Sequence, residues 1–466
     1  MKWIFAAIGW CLAPSAALWA QSEEPAERPH IVLIMTDDMG WKDLHCQGND
    51  RLRTPEIDAL SAEGMRFTDA YAASPVCSPT RAALMTGLAP ARLNITQHGA
   101  DNERFWPEGR AVTPPKIEHI LPLERITVAE RLRQVGYATG FFGKWHLSGT
   151  AVKKNDPSTG GEAFYPDRQG YDVNFGGCGK GGPPTYFDPY RIPTLEPRKP
   201  GEYLTDRLAD ETIQWMEANH DQPMLVTLWT YNPHYPFEAP PDLIPAFEGK
   251  EGPGLKNPVY GAQIEATDRA IGRVLRKIDS LGIQDNTLVI FTSDNGGWSG
   301  ATDNRPLREG KGYLYEGGIR VPLIVRWPGV IEAGSTSSLP VITMDLTATI
   351  LDAAGVSIHE GETLDGSPLR PVFEGKESTR PALTFHYPHW AFHKSNRPGS
   401  AIRDGDYKLI YRYDDSSVEL YDLRSNLGET RDLAAAQPER AASLKRQLLK
   451  RLDQLGARRP EPVQVR

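Results

Sequence analysis

Four times in this chain a run of five to seven mainly apolar residues gives way to a cluster of charged or imidazole side chains. Residues 31–35 lead to Asp37 and Asp38, 138–142 to Lys144 and His146, 224–230 to His234, and 287–292 to Asp294 and Asn295. Runs of that length without polar alternation are what a strand buried on both faces requires. Between them, 127–135, 204–219 and 260–281 have helical spacing, so the expected fold is α/β, a large, mostly parallel mixed sheet sandwiched by helices. Ligands of such sheets collect outside the carboxyl ends of the strands, which predicts that residues scattered from Asp37 to Asn295 meet along one edge.

Near residue 381 the pattern changes to short stretches at 401–402, 407–413 and 418–421 with turn residues between them, which predicts a small antiparallel sheet. Leu444, Leu448, Leu449 and Leu452 then recur at helical spacing within 437–455. The 466 residues exceed the roughly 250 to 300 at which a single core stops growing, so a catalytic domain over 28–380 and a smaller unit over 381–466 are expected.

Lys2, an apolar stretch over 3–20 and the polar Gln21 to Glu24 that follow read as a cleavable secretory signal over residues 1–20. An uncleaved anchor is the alternative, but Pro14 and the small residues Ser15, Ala16 and Ala17 suit a cleavage region. Nothing later is long and apolar enough to span a bilayer. The expected location is therefore secreted or periplasmic. Cys11 falls in the signal; Cys46, Cys77 and Cys178 remain, an odd number that leaves at least one thiol outside any intramolecular disulfide. A net charge of -8 argues against nucleic-acid or membrane-surface partners, and an anionic substrate would need a local cationic pocket.

Cys77-Ser78-Pro79-Thr80-Arg81 precedes an apolar stretch, which places Cys77 at the mouth of a helix with Arg81 one turn on. A helix N-terminus reinforced by a guanidinium suits a sulfate or phosphate. Alone, the segment reads more readily as a helix opened by a small buried cysteine. Asp37 with Asp38, and the loop after Ser293, read individually as Asx turns or polar loops.

Cys77, Pro79 and Arg81, with Leu84, Thr86 and Gly87, resemble the signature of type I sulfatases of the alkaline phosphatase superfamily. The resemblance extends through Thr36-Asp37-Asp38, Gly143-Lys144-Trp145-His146, Asn232-Pro233-His234, Ser293-Asp294-Asn295-Gly296 and Gly310-Lys311-Gly312, in order. It implies a formylglycine made by oxidising Cys77, the work of a formylglycine-generating maturation enzyme. It implies one divalent metal on Asp37, Asp38, Asp294, Asn295 and residue 77, and hard oxygen ligands favour calcium or magnesium, with calcium preferred. Arg81 and Lys144 would favour the deprotonated nucleophile, His234 with Lys311 would protonate the departing alcohol, and His146 would take the proton that releases sulfate. Ser148 stands where many relatives have glycine.

The motif blocks recognise only the sulfate, so the substrate is either a sulfated carbohydrate or an aryl sulfate, with a galactose or N-acetylgalactosamine unit preferred. His98, Asp101, His386, His389 and Arg403 are candidate substrate contacts, and Trp106 and Trp390 candidate stacking surfaces. A phosphodiester or phosphonate monoester hydrolase of the same superfamily, and a secreted glycan-binding protein with unmodified Cys77, are the alternatives.

Overall fold

The computed structural model describes Met1 and residues 28–99, 103–149, 160–376, 378–390 and 396–463. The expected signal segment and Asp101 lie outside them. Among the described residues no helix is long and apolar enough to cross a membrane.

Eight strands form the main sheet: β1 His30–Thr36, β2 Met65–Phe67, β3 Ala138–Gly143, β4 Val173–Phe175, β5 Met224–Trp229, β6 Thr287–Ser293, β7 Leu323–Arg326 and β8 Ser335–Ser337. Their order is β8-β2-β7-β6-β1-β5-β3-β4, and every pairing is parallel except the two made by β7. The centre of the sheet is therefore β6, β1 and β5, all parallel.

Alternation along these strands feeds two cores. In β1, Val32 and Ile34 join one apolar cluster while Ile31, Leu33 and Met35 join the other. β6 divides in the same way, with Val289 and Phe291 on one side and Leu288 and Ile290 on the other. Both faces are covered, which is why these strands read as continuous apolar runs. The first cluster is completed by α3 Leu204–Asn219 and α4 Pro258–Ser280, and the second by α1 Cys77–Thr86, α2 Val128–Gln134 and α5 Thr343–Ala353.

Helix starts follow their capping chemistry. Thr127 caps α2 rather than opening it, because its hydroxyl accepts from the Glu130 amide while the Glu130 carboxylate accepts from the Thr127 amide. Asn257 caps α4 by accepting from the Val259 amide, so α4 begins at Pro258, ahead of the expected 260.

β9 Leu383–Tyr387, β10 Gly399–Asp404, β11 Tyr407–Arg412 and β12 Val418–Asp422 form an antiparallel meander. One face, with Phe385, Ala401 and Ile410, packs on Tyr71, Ala83 and Leu314. The other, with Ile402, Leu409 and Leu420, receives Ala441, Leu444, Leu448 and Leu452 of α6 Pro438–Gln454. Leu449, one position off that stripe, is only half-buried.

Candidate active site

β1 and β6 run parallel with Thr36 paired to Ser293, so the residues that follow each strand emerge side by side. The Asp38 amide donates to Asp294 Oδ1 at 3.1 Å, and Asn295 Nδ2 donates to Asp38 Oδ1 at 2.8 Å. Asp38 has φ 65° and His146 φ 60°. A non-glycine residue in that left-handed region is uncommon and is held there by its surroundings.

α1 begins at Cys77 as expected. Its N-cap, Val76, offers no side-chain cap, so nothing on the capping residue competes for the free amides at the helix mouth. Cys77 Sγ lies 3.6 Å from Asp37 Oδ1. One turn on, Arg81 donates to Asp294 Oδ2 through Nε at 2.9 Å and Nη2 at 2.7 Å, and through Nη1 to the Lys144 carbonyl at 2.6 Å. Trp229 backs the guanidinium, whose carbon is 5.3 Å from the ring centroid.

Lys144 reaches the cluster because the chain turns sharply after β3. Gly143 has φ 111°, and a Cβ there would sit 1.8 Å from the Trp229 carbonyl, so only glycine allows the approach. Lys144 Nζ then donates to Asp37 Oδ2 at 2.6 Å, and Lys311 Nζ to Asp38 Oδ2 at 2.7 Å. His234 Nε2 stands 3.7 Å from Asp38 Oδ2, and its Nδ1 donates to the Tyr235 carbonyl at 2.7 Å. Asp37, Asp38 and Asp294 thus face Arg81, Lys144 and Lys311, three negative charges against three positive, all buried.

Burial sets most of the ionisation here. It pushes the Cys77 thiol up to about 12, against the pull of Lys144 and Lys311, so the unmodified side chain is a neutral thiol and a poor nucleophile. Burial, and then Lys311, pull both His98 and His234 down to about 3; burial and Lys144 hold His146 well below its usual range. Burial raises Asp37 despite Lys144. It also acts to raise Asp38, where Lys311 and His234 prevail and hold the carboxyl low.

Ligand atoms of Asp37, Asp38, Cys77 and His234 all lie within 4.8 Å of one another, a cluster able to hold a cation. Asn295 Oδ1 is buried without a hydrogen-bond partner, although its amide nitrogen is bonded. An orphaned carbonyl oxygen among three carboxylates is the arrangement a hard cation satisfies. Of the expected ligands, Asp37, Asp38 and residue 77 lie in that cluster, with His234 beside them, and Asp294 and Asn295 adjoin it through their bonds to Asp38.

The expected substrate contacts separate. The His98 ring lies 6.2 Å from that of His146, centroid to centroid, and its Nδ1 donates to Gln97 Oε1 at 2.7 Å. His389 is buried against Thr96 Oγ1 at 2.8 Å. His386 is fixed by Ser400 Oγ and the Arg458 carbonyl, and Arg403 braces Tyr71 and Asp69 under the meander. Trp390 is buried with Nε1 on the Val112 carbonyl, while Trp106 is half-buried and stacked by Arg110. Ser148 is buried with its hydroxyl unpartnered, and Gly149 beside it takes φ 78°. Cys46, Cys77 and Cys178 are all free thiols, so the thiols left outside a disulfide include all three.

Two residues escaped the sequence reading. A Cβ on Gly181 would lie 2.8 Å from both Cε1 and Nε2 of His146, and one on Gly182 would lie 2.9 Å from His234 Nδ1. The signal was present as Gly176-Gly177-Cys178-Gly179-Lys180-Gly181-Gly182, a glycine-rich segment that marks close approach of a backbone to something else.

A family model described as Sulfatase matches residues 29–356, and one described as N-sulphoglucosamine sulphohydrolase, C-terminal, matches residues 309–458. The chain is 34% identical to arylsulfatase A of Homo sapiens, over 91% of this chain and 88% of that protein. It is 33% identical to N-acetylgalactosamine-6-sulfatase of Mus musculus, over 77% and 68%. A crystal structure of Ps i-CgsB in complex with k-i-k-neocarrahexaose aligns with a TM-score of 0.78 and 26% identity, over 91% of this chain and 93% of that one.

Proposed function

The chain belongs to the sulfatase family and is a sulfuric ester hydrolase, and from that premise we propose that it releases sulfate from a sulfated sugar, using a formylglycine made from Cys77 and one calcium ion. The observation that carries this reading is Cys77 itself. A buried neutral thiol stands at a helix mouth, among three cations and a cation-binding cluster, where a nucleophile toward an anionic ester is needed. Oxidation by a maturation enzyme resolves that mismatch.

Asp37, Asp38, Asp294, Asn295 and the oxygen of residue 77 would hold the calcium, which supplies positive charge that polarises the sulfate and favours an ionised nucleophile. As a hydrated aldehyde, residue 77 supplies one hydroxyl to attack sulfur and a second whose deprotonation expels sulfate. Arg81 and Lys144 hold the anion and the nucleophile in line. The three carboxylates and three cations offset one another, so a divalent ion would leave the site with net positive charge, suited to an anionic ester.

His234 is neutral in the free site, with its Nδ1 proton fixed on the Tyr235 carbonyl. Lys311, which Asp38 holds in its protonated form, stands against the same carboxylate as His234, so His234 together with Lys311 delivers a proton to the departing sugar oxygen, with the ammonium as its source. His146, neutral and with Nδ1 unpartnered, is the acceptor for the proton of the second hydroxyl. His98, beside His146, is the substrate contact favoured from the expected set.

The glycines make this testable. Gly181→Ala should displace the His146 ring and lower kcat about a hundredfold, the scale of a misplacement near 1 Å, with KM little changed. Unchanged kcat would show that His146 does not hold the proton in transit.

The similarity to N-acetylgalactosamine-6-sulfatase and to a structure holding a neocarrahexaose supports a galactose or N-acetylgalactosamine unit. The lead over 1–20 supports export, with the catalytic domain over 28–380 and the meander unit over 381–466. Sulfate release from matched sulfated galactose, N-acetylgalactosamine and glucosamine oligosaccharides, beside 4-nitrophenyl sulfate and a phosphodiester, tests the reading. The galactose-type sugars should be hydrolysed best. Preferred turnover of the phosphodiester would replace the reading with the rival hydrolase.

A further inference from the structure

A cleft of about 950 Å³ is lined by Lys42, Arg51, Arg53, Lys250 and Arg305. None of these five has a place in the chemistry above. Its walls come from three segments, 42–53, 250–254 and 303–306, that follow β1, β5 and β6. Those strands are neighbours at the centre of the sheet, and their carboxyl ends also lead to Asp37 and Asp38, to His234, and to Asp294 and Asn295. Lys42 is four residues beyond Asp38, and Arg305 six before Lys311. Tyr260 links the two regions, its hydroxyl standing 3.4 Å from the Asp38 carbonyl and donating to Asp43 Oδ2, next to Lys42, at 2.6 Å, so the cleft's walls begin at the sheet edge where ligands collect.

The cleft is a built feature. Asn49, 2% exposed, donates from Nδ2 to the Lys42 carbonyl at 3.0 Å and to the Gly254 carbonyl at 2.9 Å. The Gly254 amide donates in turn to Asp303 Oδ2 at 3.0 Å. One buried amide and one carboxylate thus pin the three walls together.

The charge in the cleft opposes that of the chain. Its carboxylates are Asp50 and Asp303, and Asp303 is taken by Arg305 at 2.6 Å. Arg53 lies 3.7 Å from Glu265. Among the described residues no carboxylate is within ion-pair distance of Lys42, Arg51 or Lys250, while the Arg51 guanidinium is aimed by a bond to the Lys250 carbonyl. Gathering uncompensated cations in a chain of net charge -8 costs mutual repulsion, which an anionic ligand relieves.

We propose that this cleft holds sulfate groups of sugar units flanking the one being hydrolysed, so that the preferred substrate is a polysulfated saccharide chain rather than a single sulfated unit. This rests on the reading of the substrate as a sulfated sugar, and deepens it. The ligand chemistry is repeated monoanionic groups on a polar backbone, matched by cations spread across several segments rather than gathered at one point.

The test compares the full chain with a triple variant, Lys42→Gln, Arg51→Gln and Lys250→Gln. The first readout is the salt concentration that elutes each from immobilised dextran sulfate; the second is kinetics on a polysulfated hexasaccharide and on 4-nitrophenyl sulfate. The variant should elute at lower salt, and KM for the hexasaccharide should rise about tenfold, at a few-fold for each cation, with kcat and the aryl sulfate kinetics unchanged. Identical elution and identical KM would overturn the proposal, as would an equal loss on both substrates. If neither chain released sulfate from any substrate, the catalytic reading would fail, and the difference in elution would still decide the cleft.

Discussion

Cys77→Ser lowers turnover by a factor on the order of 10⁴ or more, the scale seen when an enzyme loses its nucleophile. The substitution is nearly isosteric in a fully buried position, so the fold and the ion pairs of Arg81 and Lys144 should persist. What disappears is the second hydroxyl. A single hydroxyl can attack sulfur once, but has no neighbouring proton whose loss expels sulfate, so the variant should retain an added mass of about 80 Da at position 77 after exposure to substrate. Near-normal steady-state turnover by this variant would remove the requirement for a formylglycine.

Exhaustive chelation should lower activity about a hundredfold or more, with recovery on adding calcium, because the lost ion supplies several kcal/mol of charge stabilisation. The physical basis is visible in the unbalanced donors. Burial raises Asp37 even with Lys144 at 2.6 Å, and Asn295 Oδ1 has no partner. The thermal midpoint should fall as well, since an ion at a hundred times its Kd contributes about 2.7 kcal/mol to the folded state. Full activity and an unshifted midpoint after chelation would contradict the assigned ligands.

The central strands were legible because burial on both faces leaves an uninterrupted apolar run, as in β1, where alternate residues enter different cores. The edge strands β4 and β8, and β2 next to β8, were not. Each is three residues long, and β4 and β8 are incompletely buried, so neither length nor pattern marks them. β7 runs against both neighbours and falls outside the βαβ rhythm on which the reading relied.

At the site, the residues of the ordered motif blocks converge as the strand-end rule requires: Asp38 touches Asp294 and Asn295, more than two hundred positions away. The substrate contacts were harder. His386 and Arg403 have the same side-chain chemistry as His234 and Arg81, and their commitment to Ser400, Arg458, Tyr71 and Asp69 follows from meander packing that no local pattern records. Gly181 and Gly182 matter through the side chain they lack, visible only when the histidines beside them are in place.

The most direct measurement is peptide mass spectrometry of the segment containing Cys77, from protein made in its native host, paired with sulfate release by the same preparation. The account predicts a peptide lighter by about 18 Da than the cysteine form, the change that converts the thiol to an aldehyde, in proportion to activity. Full sulfate release by protein whose Cys77 remains an unmodified thiol would contradict it.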